Sequence, residues 1–158
     1  MNLRILDTRS LLLAMSMVIL AGCSNFDREW RDAGTRPASG IEGRWQGSWK
    51  SEADGHTGAL LCVIRHGDGN TYNASFNATY ASIFYFGYDA KLTGHQVGNL
   101  VHLTGDENLG WPVGVYHYEG TADPTQFYCA YRSKDDHGYF ALARPGVAPP
   151  TQPLSAVP

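Results

Sequence analysis

The chain has 158 residues, with twelve basic and fifteen acidic side chains and a formal charge of −3. That length holds one ordinary domain, and basic residues scattered without a basic face argue against nucleic acid as a partner. Nine Tyr, six Phe and four Trp among 18 Gly favour aromatic strands separated by tight turns, an all-β domain.

Arg4 and Arg9 flank a short polar start, Leu11 to Leu20 is apolar except for Ser16, and Leu20-Ala21-Gly22-Cys23 follows. The apolar run is about half the ~20 residues that a membrane-spanning helix needs. This arrangement resembles a bacterial lipoprotein signal peptide with its lipobox. The resemblance implies that residues 1–22 are removed, that the Cys23 thiol carries a diacylglycerol and that the new amino group is acylated. Several acyl chains anchor a protein to a membrane far more firmly than one. Ser24 after the cysteine implies the outer membrane, with the domain facing the periplasm. Loss of Arg4, Asp7 and Arg9 would leave ten basic and fourteen acidic side chains, a charge of −4. Residues 23–42 then read as lipidated cysteine plus flexible tether: the stretch from Ser24 is polar and unpatterned and ends in Pro37, Ser39 and Gly40. A short helix is admissible from Phe26 to Arg31.

The body begins with Gly43-Arg44-Trp45-Gln46-Gly47-Ser48-Trp49. Gly43, Trp45, Gly47 and Trp49 share one parity, so a strand here buries both indoles on one face. Seven more strands are expected: 58–66, with Leu60, Cys62 and Ile64 inward; 72–80, with Tyr72, Ala74 and Phe76 inward; 83–92, apolar on both faces; 100–104; 115–120, with Tyr116 and Tyr118 on one face; 126–133, with Phe127, Cys129 and Tyr131 on one face; and 139–144. Residues 94–99 read as turn-rich and 105–114 as the longest loop. Strands joined by short turns pair antiparallel with their sequence neighbours. The expected fold is an up-and-down meander of about eight strands over residues 43–144 that closes into a barrel. Residues 145–158 include five prolines and read as a disordered tail.

Gly43-Arg44-Trp45 opening an eight-strand meander resembles the start of the calycins, the lipocalin and avidin group. That resemblance implies a barrel closed at the tryptophan end, with an arginine from near the barrel's end covering Trp45. Arg144 is the first candidate for it and Arg132 the second; Gly43, Trp45, Gly47, Trp49 and Arg144 are thus the structural set. The lipocalin carboxy-terminal helix has no counterpart in this chain.

Cys62 and Cys129 lie on apolar faces, and the periplasm favours disulfides. A bond between them would close a long loop, worth roughly 4 kcal/mol in the chain-entropy model. Yet the second and seventh strands of a regular closed meander stand roughly 14 Å apart along the wall, too far for a bond that needs Cα atoms within ~7 Å. A bonded pair and two free thiols both remain open. The six histidines are dispersed, no Ser-His-Asp or Cys-His arrangement can be built, and adjacent Asp106 and Glu107 read as exposed strand-end acids. His117 and Glu119 share a strand face, which reads as a solvated side rather than a metal site, and Asp135-Asp136-His137 reads as turn chemistry. No catalytic residue, metal or cofactor is expected. What remains is aromatic: Tyr72, Phe76, Phe84, Phe86, Tyr116, Tyr118, Phe127 and Tyr131 are the candidate lining of a cup, with Leu109 and Trp111 as its lid. Two functions follow. A hollow barrel would bind a small apolar or amphipathic molecule without catalysis; a filled one would present an aromatic outer surface to an envelope protein, as an interaction or inhibitor module.

Overall fold

The computed structural model describes residues 25–81, 83–111 and 113–155. The signal segment and Cys23 lie outside the described residues. Eight strands form one closed barrel: β1 (Gly43–Ser51), β2 (Thr57–His66), β3 (Thr71–Tyr80), β4 (Phe84–Val97), β5 (Leu100–Asn108), β6 (Val115–Ala122), β7 (Gln126–Arg132) and β8 (His137–Ala143). Each pairs antiparallel with the next, and β8 pairs with β1. The all-β meander read from the two-residue periodicity is the fold.

Two strands run further than their sequence pattern suggests, and glycine is the reason. β4 continues through Gly94, which reads as a turn residue, but a Cβ at that position would lie 2.4 Å from the Tyr72 ring. β5 continues through Gly105, where a Cβ would stand 2.6 Å from the Lys91 carbonyl. Both glycines serve close approach of chains inside the sheet. The turn-rich stretch shrinks to Gly98–Asn99 and the long loop to residues 109–114.

Inward parity sets the core. Trp45, Leu60, Cys62, Ile64, Ala74, Phe76, Leu92, Leu103, Phe127, Cys129, Phe140 and Leu142 are all buried, each large one contributing about 1.5–3 kcal/mol by leaving water. Phe127 meets Trp45 edge-on at 5.9 Å and Phe140 at 5.3 Å, and Phe76 meets Phe140 at 5.4 Å. These edge-to-face contacts suit the ring quadrupoles, and they fill the half of the barrel nearest Trp45.

That end is sealed. The Arg144 guanidinium lies 3.9 Å from the centre of the Trp45 ring and donates to the carbonyls of Gly40 at 2.8 Å, Pro124 at 2.8 Å and Arg44 at 3.2 Å. Trp45 Nε1 donates to the Ile41 carbonyl at 2.9 Å. One cation thus ties together the approach to β1, the β6–β7 turn and the end of β8. Burial lowers the Arg144 pKa.

Within the segment read as a tether, the short helix admissible at Phe26 to Arg31 is present and longer, as α1 over residues 25–34, and it is docked on the barrel. Phe26 is buried and stacks on Trp30, Trp30 lies beneath the Arg44 guanidinium, and Glu29 accepts from Arg65 at 2.6 Å. Arg65 also donates to buried Ser75, so α1 covers the outer face of β2 and β3. The Pro-rich segment after Arg144 also departs from its expected disorder. Pro150 is buried, and the carbonyls of Ala148 and Leu154 accept from Gln126 and Thr121 on the outer wall.

Candidate functional site

The opposite end of the barrel is hollow. Above the Phe76, Phe127 and Phe140 layer the inward positions alternate small with aromatic, and a cup of about 290 Å³ remains, at the lower limit of ligand-site volumes of roughly 300–1,000 Å³. Trp49, Leu60, Ala78, Phe86, Tyr88, Leu109, Val113, Tyr116, Tyr118, Tyr131, Asp136 and Phe140 are among its walls. Trp49 stays at the wall because its Nε1 donates to the Thr79 carbonyl at 3.1 Å and its ring stacks on Tyr80.

The polar groups of the cup are largely committed to one another. The Tyr116 hydroxyl donates to Asp136 Oδ2 at 3.1 Å, and Ser51 Oγ donates to Asp136 Oδ1 at 2.7 Å. The Tyr131 hydroxyl donates to the Lys50 carbonyl at 3.2 Å. Burial holds the Tyr88, Tyr116, Tyr118 and Tyr131 phenols above their ordinary pKa. A visitor would therefore meet apolar ring faces and neutral hydroxyls, with one carboxylate at the side. Asp136 keeps lone pairs beyond the two bonds it accepts, so the cup favours an apolar body with a donor head and disfavours an anion.

No family model, no curated protein and no solved structure matches the chain.

Of the residues expected to line a cup, Phe86, Tyr116, Tyr118 and Tyr131 do so. Phe76 and Phe127 are fully buried beneath it. Tyr72 packs edge-on against His66 at the sealed end, Phe84 is exposed at the β3–β4 tip, and Trp111 is 96% exposed and lines no part of the cup. Of the expected lid, only Leu109 reaches the cavity. Alternation could have found Trp49 and Tyr88, which share parity with Trp45 and Phe86. No sequence signal marks Asp136, whose turn chemistry hides its bonds across the barrel.

The remaining candidates carry no site. Cys62 and Cys129 are free and buried, and burial pushes both thiols up in pKa. His117 pairs across strands with Asp106 rather than with Glu119. Among the described residues no group of three metal-ligating side chains converges.

The wall beside the cup is unzipped. Pairing of β4 with β5 runs only from Thr93–Val97 to Leu100–Thr104, while Phe84–Leu92 pairs with β3 alone and Gly105–Asn108 with β6 alone. Glu107 has inward parity opposite Tyr116, yet it lines an outer cleft with Asp89 and Lys91 where the strands part. The gap lets an acid placed on the core side reach solvent.

Proposed function

We propose that this chain is an outer-membrane lipoprotein, acylated at Cys23 and facing the periplasm, whose barrel binds a small apolar or amphipathic molecule without catalysis. The observation that carries the binding reading is the cup itself: a cavity of about 290 Å³ with aromatic walls, self-satisfied hydroxyls and a single carboxylate. Its interior suits a flat or chain-like apolar body whose polar end donates a hydrogen bond to Asp136.

The test fills the cup from within. Ala78 lies across the register from Leu60 and Phe86 on the cup wall, so Ala78→Phe puts a ring into the cavity without breaking a bonded group. The uncharged fluorescent probe N-phenyl-1-naphthylamine is expected to brighten with the wild-type chain and to stay dark with Ala78→Phe, at a nearly unchanged unfolding temperature. A probe that brightens equally with both chains binds elsewhere and overturns the cup as the site. One that fails to brighten with the wild type turns the reading toward the protein-interaction module.

A further inference from the structure

The mouth of the cup is chemically lopsided. The β1–β2 turn carries Glu52 and Asp54, and the β7–β8 turn carries Lys134, Asp135 and Asp136. The other two loops differ. No Asp, Glu, Lys or Arg occurs between Asp68 and Asp89 or between Glu107 and Glu119, where the one basic side chain is His117. On this uncharged half the β3–β4 tip leaves Ile83 69%, Phe84 62% and Tyr85 66% exposed, and Trp111 projects from the β5–β6 loop. Isolated apolar side chains on a surface are ordinary, but a contiguous aromatic tip marks a contact.

The chain's own anchor identifies the contact. The groove beneath the tip is shared by Asn25, Phe26, Arg28 and Glu29 of α1 with residues 83–89. Asn25 is two residues from Cys23, a span of at most about 7 Å. Because α1 is docked on the barrel, that short stretch holds an acylated Cys23 close to Asn25, at the edge of the groove that the aromatic tip also lines. The headgroup layer on each side of a bilayer is of similar depth, about 5–8 Å, and aromatic rings favour that layer.

We propose that the β3–β4 tip, with Trp111 of the neighbouring loop, inserts into the interface of the bilayer that holds Cys23, so that the cup opens onto the membrane. This placement rests on the acylation reading above. It deepens that reading, because molecules would then enter the cup from the bilayer rather than from the periplasm.

The test uses the full-length chain, purified in its processed form and reconstituted into vesicles of phosphatidylethanolamine and phosphatidylglycerol. An environment-sensitive fluorophore is attached at Tyr85→Cys, at Trp111→Cys or, as the control, at His95→Cys toward the sealed end of β4. The native thiols at 62 and 129 are buried and spared under native labelling. Intact mass reports acylation separately. In an acylated chain, labels at 85 and 111 are expected to shift blue and to lose about twofold in emission when brominated lipid is included, as at an interfacial depth, while the label at 95 does not respond. Acylated protein whose labels at 85 and 111 stay in water overturns the placement and leaves the tip to a protein partner. A chain without acyl mass overturns the anchor, and the placement falls with it.

Discussion

The sealed end offers the sharpest test of how this barrel is held together, through Arg144→Ala. The substitution removes a cation from the face of fully buried Trp45 and three donors from carbonyls on separate segments. A partly desolvated cation–π contact contributes about 1 kcal/mol. The bonds to Gly40 and Pro124 are short, but both residues are exposed, so water can replace the lost donor and each bond is worth about 1 kcal/mol, the ordinary net value rather than that of a buried charged donor. The expected loss is about 3 kcal/mol. In urea unfolding that is a fall in midpoint of about 2 M at a slope near 1.5 kcal/mol per M. Arg144→Lys keeps a cation near the ring but cannot fork to three carbonyls, and should lose about half as much. A loss below about 1 kcal/mol for Arg144→Ala would show that the guanidinium is a surface ornament and that apolar packing alone seals the base.

Other consequences follow from close packing and burial. Gly47→Ala should cost about 3 kcal/mol or more in the same unfolding assay, because its Cβ would sit 2.1 Å from the Ala141 carbonyl oxygen and force β1 from β8; a stability within 1 kcal/mol of wild type, about the ordinary surface range, would refute that register. The buried phenols of Tyr88, Tyr118 and Tyr131 are raised above 10.0 in the folded chain, whereas those of the unfolded chain ionise near pH 10. Their contribution is therefore present below about pH 10 and lost as pH rises beyond it, so the urea midpoint should fall under alkali; phenolate absorbance that rises fully near pH 10 in the still-folded protein would refute their burial. Cys62 and Cys129 should resist alkylation in the folded chain and both react once it is denatured without reductant, as intact mass would show. A pair that reacts only after reduction would mean a bond between β2 and β7, and the cup would have to flatten.

Strand existence was legible because alternation is a local property: Trp45 and Trp49, or Tyr72, Ala74 and Phe76, announce one face without reference to any partner. Glycine was the weak point. Gly94 and Gly105 look like turn residues in isolation, and only the Tyr72 ring and the Lys91 carbonyl beside them reveal why no side chain fits. The docking of α1 was invisible for a related reason. A helix of about ten residues is marginal alone, and its support comes from Arg44, Arg65 and Ser75, which the chain reaches only after further strands. The tail shows how composition misleads, since prolines that exclude helix and inner strand leave every carbonyl free to accept from Thr121 or Gln126. In the cup, aromatic identity pointed to the right kind of lining but not to the right depth. Besides the hydroxyl, what separates Phe76 and Phe127 from Tyr116 and Tyr131 is their distance from the sealed end, which alternation does not report.

That difference in depth divides the labour of the barrel. Near Trp45 the β4–β5 ladder is intact, Arg144 bridges to β1 where its ladder with β8 ends at Gln46, and the interior is solid, so opening there would expose Trp45, Phe127 and Phe140 together. Near Trp49 the β4–β5 ladder has already ended and the interior holds space instead of side chains. Local opening costs least where few buried contacts and few ladder bonds must break. The upper halves of β4 and β5 can therefore part further without disturbing the base, and they are the strands that flank Phe86, Tyr88 and Leu109 of the cup. The aromatic tip stands at the end of one of them. If that tip rests in the bilayer interface, the softest part of the wall faces the reservoir from which an apolar molecule would come, and the rigid base keeps the cup in shape while it enters.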